Sequence, residues 1–272
     1  MAEIINFFQG EMNKPGLFSW FHFFGLVIIL SVTILISYYF KNSAEKTYKR
    51  ILLIGWIILI VFEIAKQIIK AFHYGSPSYW QYDFYDLPFH VCSMGFYLLP
   101  ILIFVKKEKC PHLIDAINGF MSFTCLMAGV IVCVYTDIVM SRLIFTNIQT
   151  LVHHGLQVVL GVYIYVWNRK NITIKTYVES LIVFLVLATI ALIINVSIWP
   201  HKTDMFYLNP YLITAIPLAN LVQENAGFVV YAISYTLAIF LGSYIVYLIE
   251  TSIYKLAVKK KSKNTENPQE KA

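Results

Sequence analysis

Residues 20–50 read WFHFFGLVIILSVTILISYYFKNSAEKTYKR. The first part, Trp20–Phe40, contains no Asp, Glu, Lys or Arg, and the ten residues after it, 41–50, contain four Lys or Arg. At ~1.5 Å rise per residue an apolar run of this length crosses the ~30 Å hydrocarbon core of a bilayer as a helix. The basic flank behind it sets its direction, because Lys and Arg are retained on the cytoplasmic side. Six more apolar runs follow: 51–69, 87–105, 114–135, 148–167, 177–198 and 228–249. Lys and Arg alternate between them in low and high numbers. The segments 1–19, 70–86, 136–147 and 199–227 carry one each, and 41–50, 106–113, 168–176 and 250–272 carry four, three, three and six. Only Lys66 lies within a run. The pattern predicts an all-α, polytopic fold of seven transmembrane helices, with the N-terminus outside and the C-terminus cytoplasmic.

The 272 residues are 58% hydrophobic and 13% charged, against about 25% charge in soluble domains. The net charge of +6 comes from the basic connections and the tail. It therefore reports orientation and contact with anionic lipid, not nucleic-acid binding. The expected organisation is one membrane domain, 1–258, and a disordered basic cytoplasmic tail, 259–272, rich in Lys, Asn, Glu and Pro with no apolar period. The segment before residue 20 has one Lys against two Glu. It lacks the basic n-region of a cleavable signal, so the first run is expected to be a retained helix. Cys92, Cys110, Cys125 and Cys133 form no CxxC pair, which argues against a disulfide framework. The stretch Met205–Ala219, interrupted by Pro210 and Pro217, is too short and broken to span and is expected to be re-entrant or interfacial. Tyr38, Tyr39, Trp80, Trp167 and Trp199 fall near the expected membrane surfaces, as aromatic belts do.

Polar side chains inside spans are costly and face the bundle interior or a wet cavity. The second run carries Glu63, Lys66, Gln67 and Lys70 at i, i+3, i+4 and i+7, one helix face, where Glu63 can pair with Lys66 and Gln67. The third opens Asp86-Leu87-Pro88-Phe89-His90-Val91-Cys92-Ser93, with Asp86 a candidate N-cap and Pro88 in the first turn. On a regular helix His90 and Cys92 would point about 200° apart. The fifth carries His153, His154 and Gln157. By helical rise, Cys92, the His pair and the Glu63–Lys66 pair all lie within ~10 Å of the outer surface. A Cys and a His on different helices suit nucleophilic acyl transfer, with the thiolate as nucleophile and a neutral imidazole taking the proton. Two other readings use the same residues. Interhelical hydrogen bonding alone would make the chain a non-enzymatic transporter or scaffold. His90, His153, His154, Glu63 and Asp86 could instead serve as metal ligands in a hydrolase, although no HExxH or HxxxH spacing occurs. Asn220, Gln223, Glu224 and Asn225, with Tyr231, Ser234 and Tyr235, could line a head-group pocket. Alternatively they form a solvated helix start capped by Asn225. Asn195 is expected to be interhelical glue.

With Leu87-Pro88-Phe89-His90-Val91-Cys92-Ser93 at the top of the third run and His153-His154 in the fifth, the chain resembles the bacterial YwaF-like integral membrane proteins. These are similar in turn to the animal transmembrane protein 164 family. The animal relatives are described as cysteine-dependent acyltransferases that remodel phospholipids, and related membrane hydrolases of fatty-acid esters use a Thr nucleophile with a His. The resemblance implies Cys92 as nucleophile and His154 as leading base, with His153 and His90 beside them. Glu63, Lys66, Gln67, Gln157 and Asp86 would then position groups around the substrate. The sixth run departs from the family pattern: the Asn of an Asn-Tyr pair is present as Asn195 but Val196 follows it, and Trp199-Pro200 replaces a Lys-Pro. The implied protein is a lipid acyltransferase or esterase of the cell membrane. It would act on membrane lipids through a thioester, without a cofactor, and with neither nucleic acid nor a soluble protein as partner.

Overall fold

The computed structural model describes residues 2–136, 139–198 and 200–266. Among these, a short helix α1 (Ala2–Phe8) precedes α2 (Trp20–Phe40) and α3 (Glu45–Ala71). A two-residue hairpin follows, β1 (Phe72–His73) against β2 (Tyr79–Trp80). The third span is α4 (Gly95–Phe104), preceded by a 3₁₀ turn at Val91–Met94. The fourth is α5 (Pro111–Gly119) and α6 (Leu126–Val134), joined through a π turn at Phe120–Cys125. Then come α7 (Ile144–Asn168), α8 (Ile174–Ile193) ending in a π turn at Ile194–Ile198, and α9 (Ala219–Glu266). Six of these segments are long and apolar enough to cross a membrane, and the third, Val91–Phe104, is shorter. The protein is all-α and polytopic.

Lipid tails are as apolar as Leu, so burial gives little drive between spans, and close packing and interhelical hydrogen bonds do the work instead. The buried share of the apolar stretch is 61% for α7 and 72% for Pro111–Val134, but 11% for α2. These two spans form the interior, and α7 is the post on which α2, α3, α6 and the first π turn pack, while the exposed Leu, Ile and Phe of α2, α8 and α9 form the lipid-facing surface. Missing side chains let α6 approach α7. A Cβ on Gly129 would lie 2.9 Å from Gln157 Cβ and 3.0 Å from the His154 carbonyl oxygen. One Cβ on Gly161 would lie 2.8 Å from Leu126 Cβ. His22 ties α2 to α6. Its Nδ1 accepts from Phe18 N at 3.0 Å, so Nε2 carries the proton and donates to the Cys133 carbonyl at 2.8 Å.

Two expectations are corrected. Asp86 does not cap a helix starting at Leu87. Asp83 caps a 3₁₀ turn at Phe84–Asp86 by accepting from Tyr85 N at 2.9 Å, and Asp86 pairs with Lys70. Opposite charge from a neighbouring helix outcompetes the local cap, and regular α-helix begins only at Gly95. Nor does Asn225 cap the last span. The helix begins at Ala219 and breaks at Gly227, where φ is +81°, and Asn225 donates back to the Leu221 carbonyl. Helix α9 continues through Glu266; residues 267–272 of the expected tail, and Trp199, lie outside the described residues.

The connection after α8 folds over the bundle end as an irregular cap, 200–218. Asn195, fully buried in the second π turn, accepts from Met205 N (2.9 Å) and Thr203 Oγ1 (3.1 Å) and donates to the Met205 carbonyl (2.9 Å). Gln223 accepts from Thr214 N (2.9 Å) and donates to the Leu212 carbonyl (2.8 Å). Tyr231 donates to the Tyr207 carbonyl (2.7 Å). These ties hold Phe206 and Tyr207 in the left-handed region, at φ 56° and 58°, which non-glycine residues rarely occupy. Asn195, read from sequence as glue, and Gln223 and Tyr231, read as head-group lining, are therefore the cap's fastenings.

Candidate active site

At the end of the bundle whose connections are poor in Lys and Arg, a cavity of about 340 Å³ opens between α3, α7, the 85–93 segment and the cap. Lys66 and Lys70 line it from α3, and Thr146, Gln149, Thr150, His153 and His154 from α7. Asp86, His90, Cys92 and Ser93 line it from the third span, and Tyr207, Ala215 and Ile216 from the cap. Of the nine residues singled out in the sequence, six are wall residues and Glu63, Gln67 and Gln157 stand directly behind them.

On α3 the expected i, i+3 and i, i+4 contacts form. Lys66 Nζ is 2.7 Å from Glu63 Oε1, and Gln67 Nε2 donates to the same oxygen at 2.6 Å. Gln67 also donates to the Asp86 carbonyl at 2.7 Å. The second Glu63 oxygen receives Gln149 Nε2 from α7 at 3.4 Å. A buried carboxylate needs this many partners, since several kcal/mol of hydration must be replaced on its removal from water.

The Cys92 turn is fastened to α7 through its backbone. His153 Nε2 lies 3.0 Å from the Cys92 carbonyl oxygen, and Gln157 Nε2 donates to the same oxygen. A carbonyl only accepts, so His153 carries its proton on Nε2 and leaves Nδ1 as a bare acceptor. That Nδ1, like Gln157 Oε1, is buried without a hydrogen-bond partner. Behind the turn, Cys125 Sγ sits 3.6 Å from the Val91 carbonyl oxygen. The His154 ring centroid is 4.9 Å from that of His153, and its Nδ1 has no partner.

His90 and Cys92 do not lie on a regular α-helix and are not turned apart. His90 is extended (φ −110°, ψ 166°) and precedes a 3₁₀ turn, so both face the same cavity. The His90 ring lies tilted against those of Tyr207 and Tyr85, with centroids 5.2 and 6.4 Å away. Among the described residues no three His, Cys, Asp or Glu side chains come close enough to hold a metal ion.

A family model described as the TMEM164 family matches residues 17–249. The chain belongs to the TMEM164 family. No curated protein and no solved structure matches it. The matched range covers every span and the whole cavity wall, and leaves out α1 and the end of α9.

The site of this TMEM164-family chain includes residues that sequence reasoning passed over. Gln149 had a signal: with His153 and Gln157 it makes an i, i+4, i+8 polar stripe on α7. Thr146 and Thr150 flank it. Tyr85 and Tyr207 had none, because each reaches the cavity from irregular backbone. A second, open depression of about 440 Å³ lies at the opposite end, lined by Lys46, Lys49, Arg50, Glu45, Leu53 and Ile103. It contains none of the candidate residues.

Proposed function

We propose that this multi-pass membrane protein transfers or hydrolyses lipid acyl groups through a thioester on Cys92. The observation that supports this most directly is the meeting of one thiol and three imidazoles, His90, His153 and His154, in a single cavity built from separate spans. His154 carries the proton. His153 and Gln157 hold the Cys92 turn by its carbonyl, whereas His154 is not committed to that bond. In the first half-reaction the thiol proton passes to the imidazole and Sγ bonds to the ester carbonyl carbon. The ester C–O bond then breaks, and the leaving alkoxide takes the proton back. In the second half-reaction a lysolipid hydroxyl or water repeats these steps in reverse, releasing the acyl group and restoring the thiol. The balance needs no cofactor. With the basic-poor end outside by the charge rule, the acyl donor comes from the outer monolayer of the cell membrane.

The test is incubation of purified protein in detergent with a fatty-acyl p-nitrophenyl ester, followed by intact-mass measurement. Wild type is expected to gain one acyl group that hydroxylamine removes, Cys92→Ala to gain none, and His154→Ala to gain it slowly. An adduct of equal size and rate on Cys92→Ala would remove the thiol from the reaction and leave the polar cluster as structural glue.

A further inference from the structure

The acyl-transfer reading leaves one requirement unassigned: something must hold the negative charge that appears on the substrate carbonyl oxygen when Sγ attacks. The hydroxyls that line the walls, Ser93, Thr146, Thr150, Tyr85 and Tyr207, are neutral, and the ammonium groups among the described lining residues are Lys66 and Lys70. His153 spends its Nε2 proton on the Cys92 carbonyl and leaves Nδ1 an acceptor without a partner. Lys70 is paired with Asp86, which lines the cavity beside it. Lys66 is arranged differently. Its counter-ion Glu63 stands behind it, outside the cavity wall, with both carboxylate oxygens engaged by Gln67 and Gln149. An ammonium has three N–H donors, and Glu63 Oε1 takes one of them. Lys66 itself lines the cavity together with Cys92, His90, His153 and His154.

We propose that Lys66 is a catalytic residue that binds the substrate oxyanion, with Glu63, Gln67 and Gln149 as the residues that aim it. The inference rests on the acyl-transfer reading. As the S–C bond forms, the carbonyl π pair moves onto oxygen while the thiol proton sits on His154. The cavity then holds one new positive and one new negative charge. The negative one lies against an ammonium whose own counter-charge is fixed on the far side. Donors organised in advance at low dielectric stabilise such an oxygen far more than water does. As the leaving alkoxide departs the oxygen becomes a neutral carbonyl again, and Lys66 returns to its Glu63 contact unchanged.

Two reactions at the same sulfur test this. Acylation by a fatty-acyl p-nitrophenyl ester, which carries no phosphate, passes through an oxyanion. Alkylation by iodoacetamide does not. Lys66→Met is expected to slow Cys92 acylation by about 10²- to 10³-fold, the usual cost of an oxyanion donor, while alkylation keeps its wild-type rate. Because Lys66→Met strands Glu63, the double variant Glu63→Gln/Lys66→Met, which removes both charges, is measured beside it and is expected to show the same split. Equal loss in acylation and alkylation in the double variant would mean that Lys66 serves the thiol or the fold, and would overturn the assignment. So would acylation at the wild-type rate, or a defect seen only with phosphate-bearing lipid esters and appearing in KM, which would make Lys66 a head-group contact. If wild type itself forms no adduct with either ester, the acyl-transfer reading fails and takes this assignment with it.

Discussion

Asn195→Leu should release the cap without unfolding the bundle. Leu has the same branched outline of four side-chain heavy atoms as Asn, so the change removes hydrogen bonds without leaving a void. Asn195 makes three hydrogen bonds to the cap, two involving the backbone of Met205 and one the hydroxyl of Thr203. At about 1 kcal/mol net per bond the fastening contributes roughly 3 kcal/mol. The loss will appear as local opening, because Met205 is fully buried and its stranded N–H recovers a partner only by reaching water, while its carbonyl keeps the Leu208 N–H at 3.1 Å. At ~1.4 kcal/mol per tenfold, the open population rises by roughly 10²-fold. Hydrogen exchange read by mass spectrometry on peptides covering 200–218 measures this directly. Amides of Met205 and Asn209 should lose about two decades of protection by the same arithmetic, with α7 unaffected. Since Tyr207, Ala215 and Ile216 line the cavity, the same variant should also let Cys92 react faster with a water-soluble maleimide. Unchanged protection in the cap, or a uniform loss across all spans, would refute the reasoning.

Gly129→Ala places a methyl 2.9 Å from Gln157 Cβ and 3.0 Å from the His154 carbonyl; about 1–3 kcal/mol of overpacking is expected, read as a lower melting temperature in detergent together with slower Cys92 acylation, while Gly16→Ala, which meets nothing within 4 Å, should change neither. His22→Leu strands Phe18 N–H and the buried Cys133 carbonyl, at about 1–3 kcal/mol for each group left unpaired; thermal unfolding followed by tryptophan fluorescence should shift downward without change in the cap's exchange. The buried Asp204 carboxyl in the cap is pushed up to about 6 from an ordinary 3.8 by burial, partly offset by the Asn209 N–H it accepts. The folded cap therefore binds this proton more tightly than the opened one, and cap protection should rise as pH falls from about 6 towards 4 and stay flat above that window. Tyr85, Tyr207 and Tyr231 face the carboxylate and stay neutral throughout this range, so Asp204→Asn should abolish the dependence in a proteolysis series across pH.

The spans were legible because bilayer thickness and the cost of charge act on any sequence in the same way. Trp20–Phe40 was readable to the residue, and the Glu63–Lys66–Gln67 contacts follow from helical spacing alone. Depth arithmetic also brought Cys92, His153 and the Glu63 pair to one level, where the cavity lies. What stayed illegible was set by partners far along the chain. Asp86 looks like a cap until Lys70 is known to stand beside it. Gln149 is an ordinary polar residue until α3 is known to pack on α7. Phe206 and Tyr207 give no hint of left-handed backbone, which Asn195 and Tyr231 impose.

The cavity itself follows from a span that is too short. Val91–Phe104 rises ~21 Å as a helix, about 9 Å less than the ~30 Å hydrocarbon core. Bare irregular backbone cannot face lipid there, because its N–H and carbonyl groups would go unpaired. The missing length is made up by protein. The 3₁₀ turn carries Cys92 with its carbonyl tied to α7, and the cap closes over it, with the Phe206 ring packed on Phe89 and Phe184 at 5.9 and 5.8 Å. Pro88, three residues ahead of the turn, disfavours helical backbone at Leu87, so at most residues 88–90, less than one turn, could be wound on. The gap between a truncated helix and a full-length bilayer is thus filled by polar, hydrogen-bonded backbone at membrane depth, which places the Cys92 thiol among the polar side chains of the cavity wall. Longer regular helix in its place would turn His90 and Cys92 to opposite faces and leave no common wall for them to share.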